Sequence, residues 1–223
     1  MRVVALIAAF NEEETVAVVV RGVSPLVHRV IVVDDGSTDA TAARAREAGA
    51  EVLAHAGNRG KGHAVRTGLA RVFEDDVTHV LLIDADLQHV PAEAARLLEV
   101  AATSGADVVI GTRQFRRAEM PASRYHANRI GSRALSSFVG VAVPDTQCGF
   151  RVFRVEALRP IVLVATGYDI ETEMLIKVRR RGGRVESAPV SAVYDGRRSK
   201  LRPIRDTTRT CFLAVYYRFI ERI

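Results

Sequence analysis

The sequence contains no tryptophan, only two cysteines, no low-complexity tract and no repeat of solenoid period. Cys148 and Cys211 are too few for a disulfide framework and lack the spacing of a metal site, which favours a reducing compartment and two inert thiols. No stretch rich in proline or glycine marks a linker. With 48% hydrophobic residues among 223, the chain is expected to form one globular domain with a substantial core.

Long apolar runs are also missing. No uncharged run approaches the roughly 20 residues that a membrane-spanning helix needs. The apolar start from Val3 to Phe10 is too short for such a helix, has no small-residue cleavage site and leads directly into Asn11. We interpret it as a buried strand, and we expect any association with a membrane to be peripheral.

Acidic residues are fewer than basic ones, 26 against 32, so the formal net charge is +6. This excess favours anionic partners such as nucleotides, phosphates, nucleic acid or an acidic membrane. The basic residues concentrate in the second half, with six arginines and one acid in residues 112–133 and eleven Lys or Arg against three acids in residues 177–209. Aromatic side chains are not interleaved with them, which disfavours single-stranded nucleic acid.

Short apolar runs rich in β-branched residues alternate with helical patterns. Four runs have the pattern of strands buried on both faces: Val3 to Phe10, Val30 to Val33, Val80 to Ile83 and Val108 to Ile110. Helices are predicted after Asn11, in a capping box with Glu14; after Ser37, Thr38 or Asp39, ending at Gly49; from about Lys61 to Asp75; and from Pro91. This order predicts an α/β fold with a parallel sheet and right-handed crossovers.

Polar segments follow three of these strands, at the sheet edge where open α/β folds bind ligands. They are Asn11-Glu12, Asp34 to Asp39, and Asp84 to Gln88. If the chain stays extended at Asp84 and Asp86, both carboxylates point the same way. Such hard oxygen ligands suit Mg²⁺ or Mn²⁺ and leave coordination positions for substrate phosphates. The alternative is a loop whose aspartates cap the next helix.

Two further segments have the character of a nucleotide site. An aspartate at position 34 or 35 can accept hydrogen bonds from a base or ribose, whereas Ser37 to Asp39 are explained as a turn and helix cap. The segment Gly57 to Gly62 does not have Walker spacing, which excludes a P-loop NTPase. A glycine-rich turn that opens a helix can nevertheless place backbone N–H groups and Lys61 near an anion.

Taken together and in this order, these segments resemble the family 2 glycosyltransferases, in particular the polyprenyl-phosphate sugar transferases of the dolichol-phosphate mannose synthase type. Each segment is weak alone, but seven in sequence are specific. They are Ala8-Ala9-Phe10-Asn11-Glu12, Val32-Val33-Asp34-Asp35-Gly36-Ser37-Thr38-Asp39, Asn58-Arg59-Gly60-Lys61-Gly62, Asp84-Ala85-Asp86-Leu87-Gln88-His89, Gly111-Thr112-Arg113, Asp145-Thr146-Gln147-Cys148-Gly149-Phe150-Arg151 and Ser199-Lys200-Leu201.

The resemblance implies a GT-A fold, a Rossmann-like and mostly parallel central sheet flanked by helices, as one domain over residues 1–223. Residues 1–111 would bind the nucleotide sugar, and residues 112–223 would form the acceptor half with a C-terminal helix. Mg²⁺ or Mn²⁺ would be held by Asp84, Asp86 and Gln88. The nucleotide sugar would be held by Ala8, Phe10, Glu12, Asp34, Asp35, Lys61, Asp84 and Ala85. This chain has Ala8-Ala9-Phe10 where the family has Pro-x-Tyr, and its apolar runs are too short to match the family's multi-helix membrane domain, so we expect no such domain.

The implied reaction transfers a hexose, mannose or glucose, with inversion from a nucleotide-diphosphate sugar to a polyprenyl or dolichyl phosphate. Such a phosphate is largely dianionic at neutral pH, so the site needs positive charge and no general base. Candidates for the acceptor phosphate are Arg113, Arg129, Ser132, Arg133, Arg198, Lys200 and Arg202. The predicted catalytic residues are Asp86, Arg113, Gln147 and Glu171.

Several alternatives stay open. The segment Tyr168 to Glu173 matches the place where family members with alcohol acceptors keep a general base, so Asp169 or Glu171 would be essential for a soluble alcohol or glycan acceptor. Asp169 otherwise caps the helix that runs to Arg181. His89 is assigned to loop structure. A catalytically silent nucleotide-sugar adaptor is the alternative from another class.

The C-terminal stripe from Phe212 to Ile223 has helical spacing. It predicts a packed helix, a membrane-surface helix or a dock for a separate membrane subunit. We expect a cytoplasmic protein that is peripheral at the inner face of the membrane, with a nucleotide-sugar donor and a polyprenyl-phosphate acceptor as partners and no nucleic acid.

Overall fold

The strands of the protein form one mixed sheet in a computed structural model that describes residues 1–113, 136, 145 and 148–191. Its strand order is β3-β2-β1-β4-β6-β5-β7. The strands are β1 Val3–Ala9, β2 Arg29–Asp34, β3 Glu51–Ala54, β4 His79–Leu82, β5 Val108–Arg113, β6 Arg151–Arg154 and β7 Val185–Val190. Only β6 among these runs antiparallel to its neighbours, β4 and β5. The predicted α/β fold with a mostly parallel sheet is confirmed.

Helices cover both faces of this sheet. They are α1 Val16–Val23, α2 Thr41–Glu47, α3 Lys61–Phe73, α4 Ala94–Ser104, α5 Val155–Leu158 and α6 Ile170–Arg180. Successive side chains of a strand point to opposite faces, so Ala5 and Ile7 of β1 join the core under α1, α2 and α4, whereas Val4 and Leu6 join the core under α3, α5 and α6. Within the described residues, no helix is long and apolar enough to cross a membrane.

The predicted capping box at Asn11 is wrong. Helix α1 begins only at Val16, with Thr15 at its N-cap position. Asn11 adopts a left-handed conformation, with φ 51°, and its side-chain oxygen accepts a hydrogen bond from the Thr38 N–H over 2.9 Å. The side chain therefore joins the loop after β1 to the loop after β2, which leaves it unable to cap its own helix.

The other helix starts are closer to the predictions. Asp39 accepts a hydrogen bond from the N–H of Thr41, the first residue of α2, and that helix ends at Glu47, two residues before Gly49, which has φ 94°. Helix α3 begins at Lys61 as predicted. Pro91 opens a 3-10 turn that leads into α4.

Candidate active site

The loops that follow β1 and β2 are joined by side-chain hydrogen bonds. The Asn11 N–H donates to Ser37 Oγ over 2.9 Å, and the Glu12 N–H donates to Thr41 Oγ1 over 2.8 Å. Phe10, which directly follows β1, is half-buried. These contacts place the residues predicted to hold a nucleotide at the carboxyl edge of the sheet.

Asp34 and Asp35, at the end of β2, are both buried and both hold protein groups. Asp34 accepts hydrogen bonds from the N–H and hydroxyl of Ser37, which shapes the turn. Asp35 accepts the N–H groups of Arg59 over 3.0 Å and of Gly60 over 2.7 Å, and it lies 2.7 Å from His55 Nδ1. Asp35 therefore fastens the glycine-rich turn to the end of β2.

The glycine-rich turn packs closely on two other segments of backbone. Gly36 adopts φ 74°, and a Cβ atom there would lie 2.4 Å from the carbonyl carbon of Gly57. Gly62 donates its N–H to the Thr166 carbonyl over 3.0 Å, and a Cβ atom on Gly62 would lie 2.3 Å from the Ala165 oxygen. The glycines therefore let the start of α3 approach the segment that leads into α6.

Lys61, the first residue of α3, joins the acidic segment after β4 to helix α6. Its Nζ forms an ion pair with Asp84 Oδ1 and a second with Glu171 Oε1 over 2.5 Å, and the Tyr168 ring lies 5.5 Å away. Burial alone would lower the pKa of Lys61, but the charges of Asp84 and Glu171 raise it above its ordinary value. Lys61 is therefore charged at any working pH.

β4 ends at Leu82 and Asp86 lies on a turn, so the extended conformation that would align the two carboxylates is not found. Leu87 adopts φ 58°, and the Gln88 N–H donates to Asp86 Oδ1 over 3.1 Å. Burial opposes the ionised form of Asp84, but the charge of Lys61 prevails and lowers the pKa of Asp84. Burial, followed by the charge of Asp84, raises the pKa of Asp86 to about 6.

The residues of this turn fit a divalent cation that is completed by substrate oxygens. Among the described residues, no three His, Cys, Asp or Glu side chains are arranged to hold a metal ion by themselves. Mg²⁺ and similar ions bind through one or two carboxylates together with substrate phosphates. Asp86, whose charge is disfavoured beside Asp84 and Glu12, would be stabilised by such an ion.

Arg113, at the end of β5, is held by a buried carboxylate. Its Nε lies 2.6 Å from Asp145 Oδ2 and its Nη2 lies 2.9 Å from Asp145 Oδ1, a bidentate pair. Asp145 is fully buried. Burial raises the pKa of Asp84, and the charge of Arg113 adds to the larger effect of Lys61 in lowering it, so the guanidinium lies near residues 84–88, which we name the acidic turn.

Gly149, just before β6, and Arg151, within it, lie beside this site. The family resemblance assigns Gly149, with Gln147 and Phe150, to the wall below the sugar and acceptor, but it assigns no role to Arg151. A Cβ atom on Gly149 would lie 2.5 Å from Asp84 Oδ2, so a side chain there would displace that carboxylate. Arg151 is fully buried and donates to the carbonyls of Cys148 and Glu171, each over 2.8 Å. The only sequence signal for either is the motif in which they stand.

His89 and Asp169 have structural contacts. His89 is buried 3.6 Å from Cys148 Sγ, with its ring 5.2 Å from the Phe150 ring, and burial lowers its pKa to about 4. This neutral, packed histidine agrees with its assignment to loop structure. Asp169 occupies the N-cap position of α6, but its carboxylate accepts the N–H of Gly167 and makes no cap hydrogen bond to the helix.

The structure thus brings together a cluster around the acidic turn, and several predicted site residues fall elsewhere. Lys61, Asp84, Asp86, Arg113 and Glu171 lie in or beside the cluster, while Ala85 is buried within the turn and Ala8 is half-buried in β1. The remaining predicted residues lie outside the described residues: Arg129, Ser132, Arg133, Gln147, Arg198, Lys200, Arg202 and the C-terminal stripe.

The sequence is similar to those of known proteins. The chain is 35% identical to glycosyltransferase AglJ of Haloferax volcanii, over 96% of this chain and 70% of that protein. It is 32% identical to undecaprenyl-phosphate mannosyltransferase of Micrococcus luteus, over 86% and 84%.

A solved structure gives the same fold. Glucosyl-3-phosphoglycerate synthase of Mycobacterium tuberculosis, in complex with Mn²⁺ and UDP-glucose, matches with a TM-score of 0.77 and 26% identity, over 97% of this chain and 78% of that one. The predicted GT-A fold is confirmed. The model of the family described as glycosyl transferase family 2 matches residues 4–162. The chain is therefore a glycosyltransferase and belongs to family 2.

Proposed function

We propose that this enzyme transfers a hexose, mannose or glucose, from a nucleotide-diphosphate sugar to a polyprenyl phosphate, with inversion and with a divalent cation. We place it at the inner, cytoplasmic face of a membrane, as a peripheral protein or docked on a separate membrane subunit. The name of the Micrococcus luteus relative supports the lipid acceptor. The complex of the Mycobacterium tuberculosis enzyme supports the donor type and the ion.

In this proposal the donor diphosphate lies at the turn that follows β4. Asp84, Asp86 and Gln88 would hold the ion, which neutralises charge on the leaving diphosphate when it is bound. Lys61 adds a permanent positive charge beside Asp84, at the first turn of α3, where backbone N–H groups also favour an anion. Arg113, fixed by Asp145, is oriented beside the same turn.

One observation carries the choice of a phosphate acceptor. Glu171 stands where family members with alcohol acceptors keep a general base, yet its Oε1 is paired with Lys61 over 2.5 Å. The neighbouring Asp169 carboxylate accepts the N–H of Gly167. Both carboxylates therefore already hold protein groups, which favours an acceptor that arrives already ionised.

A soluble acceptor is the second candidate, because the matching Mycobacterium tuberculosis enzyme has also been solved with phosphoglyceric acid beside Mn²⁺ and UDP-glucose. Transfer to a hydroxyl group requires removal of its proton, so Glu171 or Asp169 would have to leave its present partner. In that case Glu171→Gln or Asp169→Asn, whichever removes the base, would abolish transfer. With a prenyl phosphate acceptor, the same variants would retain measurable transfer.

The test is a transfer assay that varies donor, ion and acceptor. UDP-glucose, GDP-mannose and UDP-N-acetylglucosamine are each offered with Mn²⁺, with Mg²⁺ or with EDTA, to a prenyl phosphate or to phosphoglycerate. We expect product on the prenyl phosphate that disappears with EDTA and in Asp84→Ala. Full activity in EDTA, or transfer only to phosphoglycerate, would contradict the proposal. Donor binding without transfer or hydrolysis under every condition would favour the silent adaptor.

A further inference from the structure

A short apolar segment lies on the surface beside the candidate site. We name residues 161–165 the apolar ribbon. Ile161 and Leu163 are partly buried against the core under α3 and α6, and Ala165 is buried. Val162 and Val164 lie between them and are 76% and 55% exposed. The side chains alternate between core and solvent as in an extended segment, and the solvent side is as apolar as the core side.

The backbone of the ribbon is fixed from within by side chains of α6. Glu173, which is fully buried, accepts the N–H groups of Val164 over 3.0 Å and of Ala165 over 2.7 Å. Lys177 donates to the Val162 carbonyl over 2.8 Å and pairs with Glu173 over 3.0 Å. Because these bonds use the polar groups of the backbone, the two valines are held outward and cannot turn into the core.

The ribbon leads directly to the candidate site. The next residue, Thr166, accepts the N–H of Gly62 through its carbonyl, at the start of α3. Two residues further, the half-exposed Tyr168 ring lies 5.5 Å from the Nζ of Lys61. An apolar chain resting on the valines would therefore end close to the charged cluster.

Arginines lie next to the ribbon in sequence and at the end of α6. Arg159 is exposed just before the ribbon, where its guanidinium donates to the carbonyls of Phe73 and Asp75, and Arg180 and Arg181 are exposed at the end of α6. Arg180 and Arg181 lie one turn beyond Lys177, which holds Val162. Apolar side chains with neighbouring arginines match the boundary between hydrocarbon and anionic headgroups.

We propose that the apolar ribbon and Tyr168 form the edge by which this enzyme rests on a lipid surface, with Val162 and Val164 against hydrocarbon. The inference rests on the proposed function, since a lipid acceptor explains why such an edge borders the site. A second copy of the chain fits less well. A stable protein interface buries about 800 Å² on each partner, which two valines and one tyrosine do not provide.

The test compares two sets of substitutions at exposed valines. Val162→Asp with Val164→Asp changes the ribbon, while Val18→Asp changes a valine that is 50% exposed on α1, on the opposite face of the sheet. Binding is measured by co-sedimentation with phosphatidylcholine vesicles, with and without phosphatidylglycerol. We expect the ribbon variant to bind at least about tenfold more weakly to both vesicle types. Val18→Asp should bind as the unaltered chain does.

Phosphatidylcholine vesicles have no net charge, so weaker binding of the ribbon variant to them reports lost contact with hydrocarbon and not charge repulsion. A donor-induced rise in melting temperature, retained by the ribbon variant, shows that the fold and donor site are intact. Equal vesicle binding by the ribbon variant and the unaltered chain would overturn the proposal, as would failure of the unaltered chain to bind vesicles. So would a loss of self-association in sedimentation velocity with vesicle binding unchanged, because the ribbon would then contact a second copy.

Transfer assays separate this proposal from the proposed function. The ribbon variant should lose transfer to a long-chain prenyl phosphate in vesicles and keep transfer to a short, water-soluble one. If the unaltered chain uses neither prenyl phosphate, the proposed function fails, while the vesicle comparison still decides the role of the ribbon. If the variant loses transfer to both acceptors equally, the ribbon has no specific role in lipid contact.

Discussion

Single side chains set the electrostatics of the site. Lys61 compensates two carboxylates, Asp84 and Glu171, but not Asp86, whose pKa is raised to about 6 by burial and by the charge of Asp84. Without a metal ion, the three carboxylates therefore carry more negative charge than Lys61 neutralises. This imbalance lowers the stability of the free protein and at the same time attracts a cation.

The first prediction concerns Asp86 and pH. The folded-state pKa of Asp86 lies above the unfolded value, so the protonated carboxyl stabilises the fold relative to the ionised one. This stabilisation is lost as pH rises through about 6. In EDTA at pH 8, Asp86→Asn should therefore be more stable than the unaltered chain, by about 1–2 kcal/mol. The difference should shrink as pH falls through about 6, as followed by urea unfolding.

The same substitution should abolish metal-dependent transfer. A variant that is both less stable at pH 8 and fully active would contradict this picture of the acidic turn. Gln88→Glu, which adds charge to the same turn, serves as the opposite control and should lower stability in EDTA.

The second prediction concerns Gly149. Alanine there places a methyl group where Asp84 Oδ2 now lies, since the Cβ atom would be 2.5 Å away. We expect Gly149→Ala to displace that carboxylate and to reduce transfer by about 100-fold, measured as kcat/KM for the donor. Gly57→Ala, with no atom within 4 Å of its added methyl group, is the matched control. Equal activity of the two variants would show that the position of Asp84 is unimportant.

Strands and helices were predictable from sequence where apolar side chains fill both faces. The runs that became β1, β2, β4 and β5 are of this kind. The other strands carry polar residues: β3 is only partly buried, β6 includes the fully buried Arg151, and β7 includes Pro189 at the sheet edge. The sequence does not distinguish a buried arginine from an exposed one, because the burial of Arg151 depends on a carbonyl acceptor that is distant in sequence, that of Glu171.

The same limit applies to the candidate site. The acidic turn was predictable because its carboxylates follow a strand. Asp34 and Asp35 are adjacent and chemically identical, so sequence alone could not show that Asp35 holds the glycine-rich turn. Glu173 and Lys177 have the spacing of an exposed helical pair, yet both are buried beneath the apolar ribbon.

The third prediction tests how Asp35 connects two elements. Asp35→Ala removes the acceptor for the N–H groups of Arg59 and Gly60, and should cost about 2–3 kcal/mol of stability. Amide hydrogen exchange at these two residues should become faster. Asp34→Ala, which affects the turn at Ser37, should leave them protected. Unchanged exchange in Asp35→Ala would instead favour a role confined to the nucleotide.

For the whole molecule, the sheet separates two apolar cores, and Cys148 lies fully buried in the one under α1, α2 and α4. Burial raises the pKa of this thiol to about 12. The thiol is therefore unreactive towards reagents in solution as long as the fold is intact, in agreement with the predicted inert thiol.

The fourth prediction follows from that burial. In a Cys211→Ser background, Cys148 should react with a thiol reagent at pH 8 only as fast as the molecule opens. The labelling rate should rise with urea in parallel with the loss of secondary structure measured by circular dichroism. Rapid labelling in the absence of urea would show that this core opens locally.

The antiparallel strand β6 also constrains how the chain is made. It pairs with β4 on one side and β5 on the other, so β5 reaches the rest of the sheet only across a strand that lies some forty residues later in the chain. A nascent polypeptide that has emerged only to residue 113 presents β4 as an open edge and leaves β5 without a neighbour. A fragment that ends at residue 113 therefore lacks both strands that pair with β5, and we expect a gene fragment that encodes it alone to yield aggregated product.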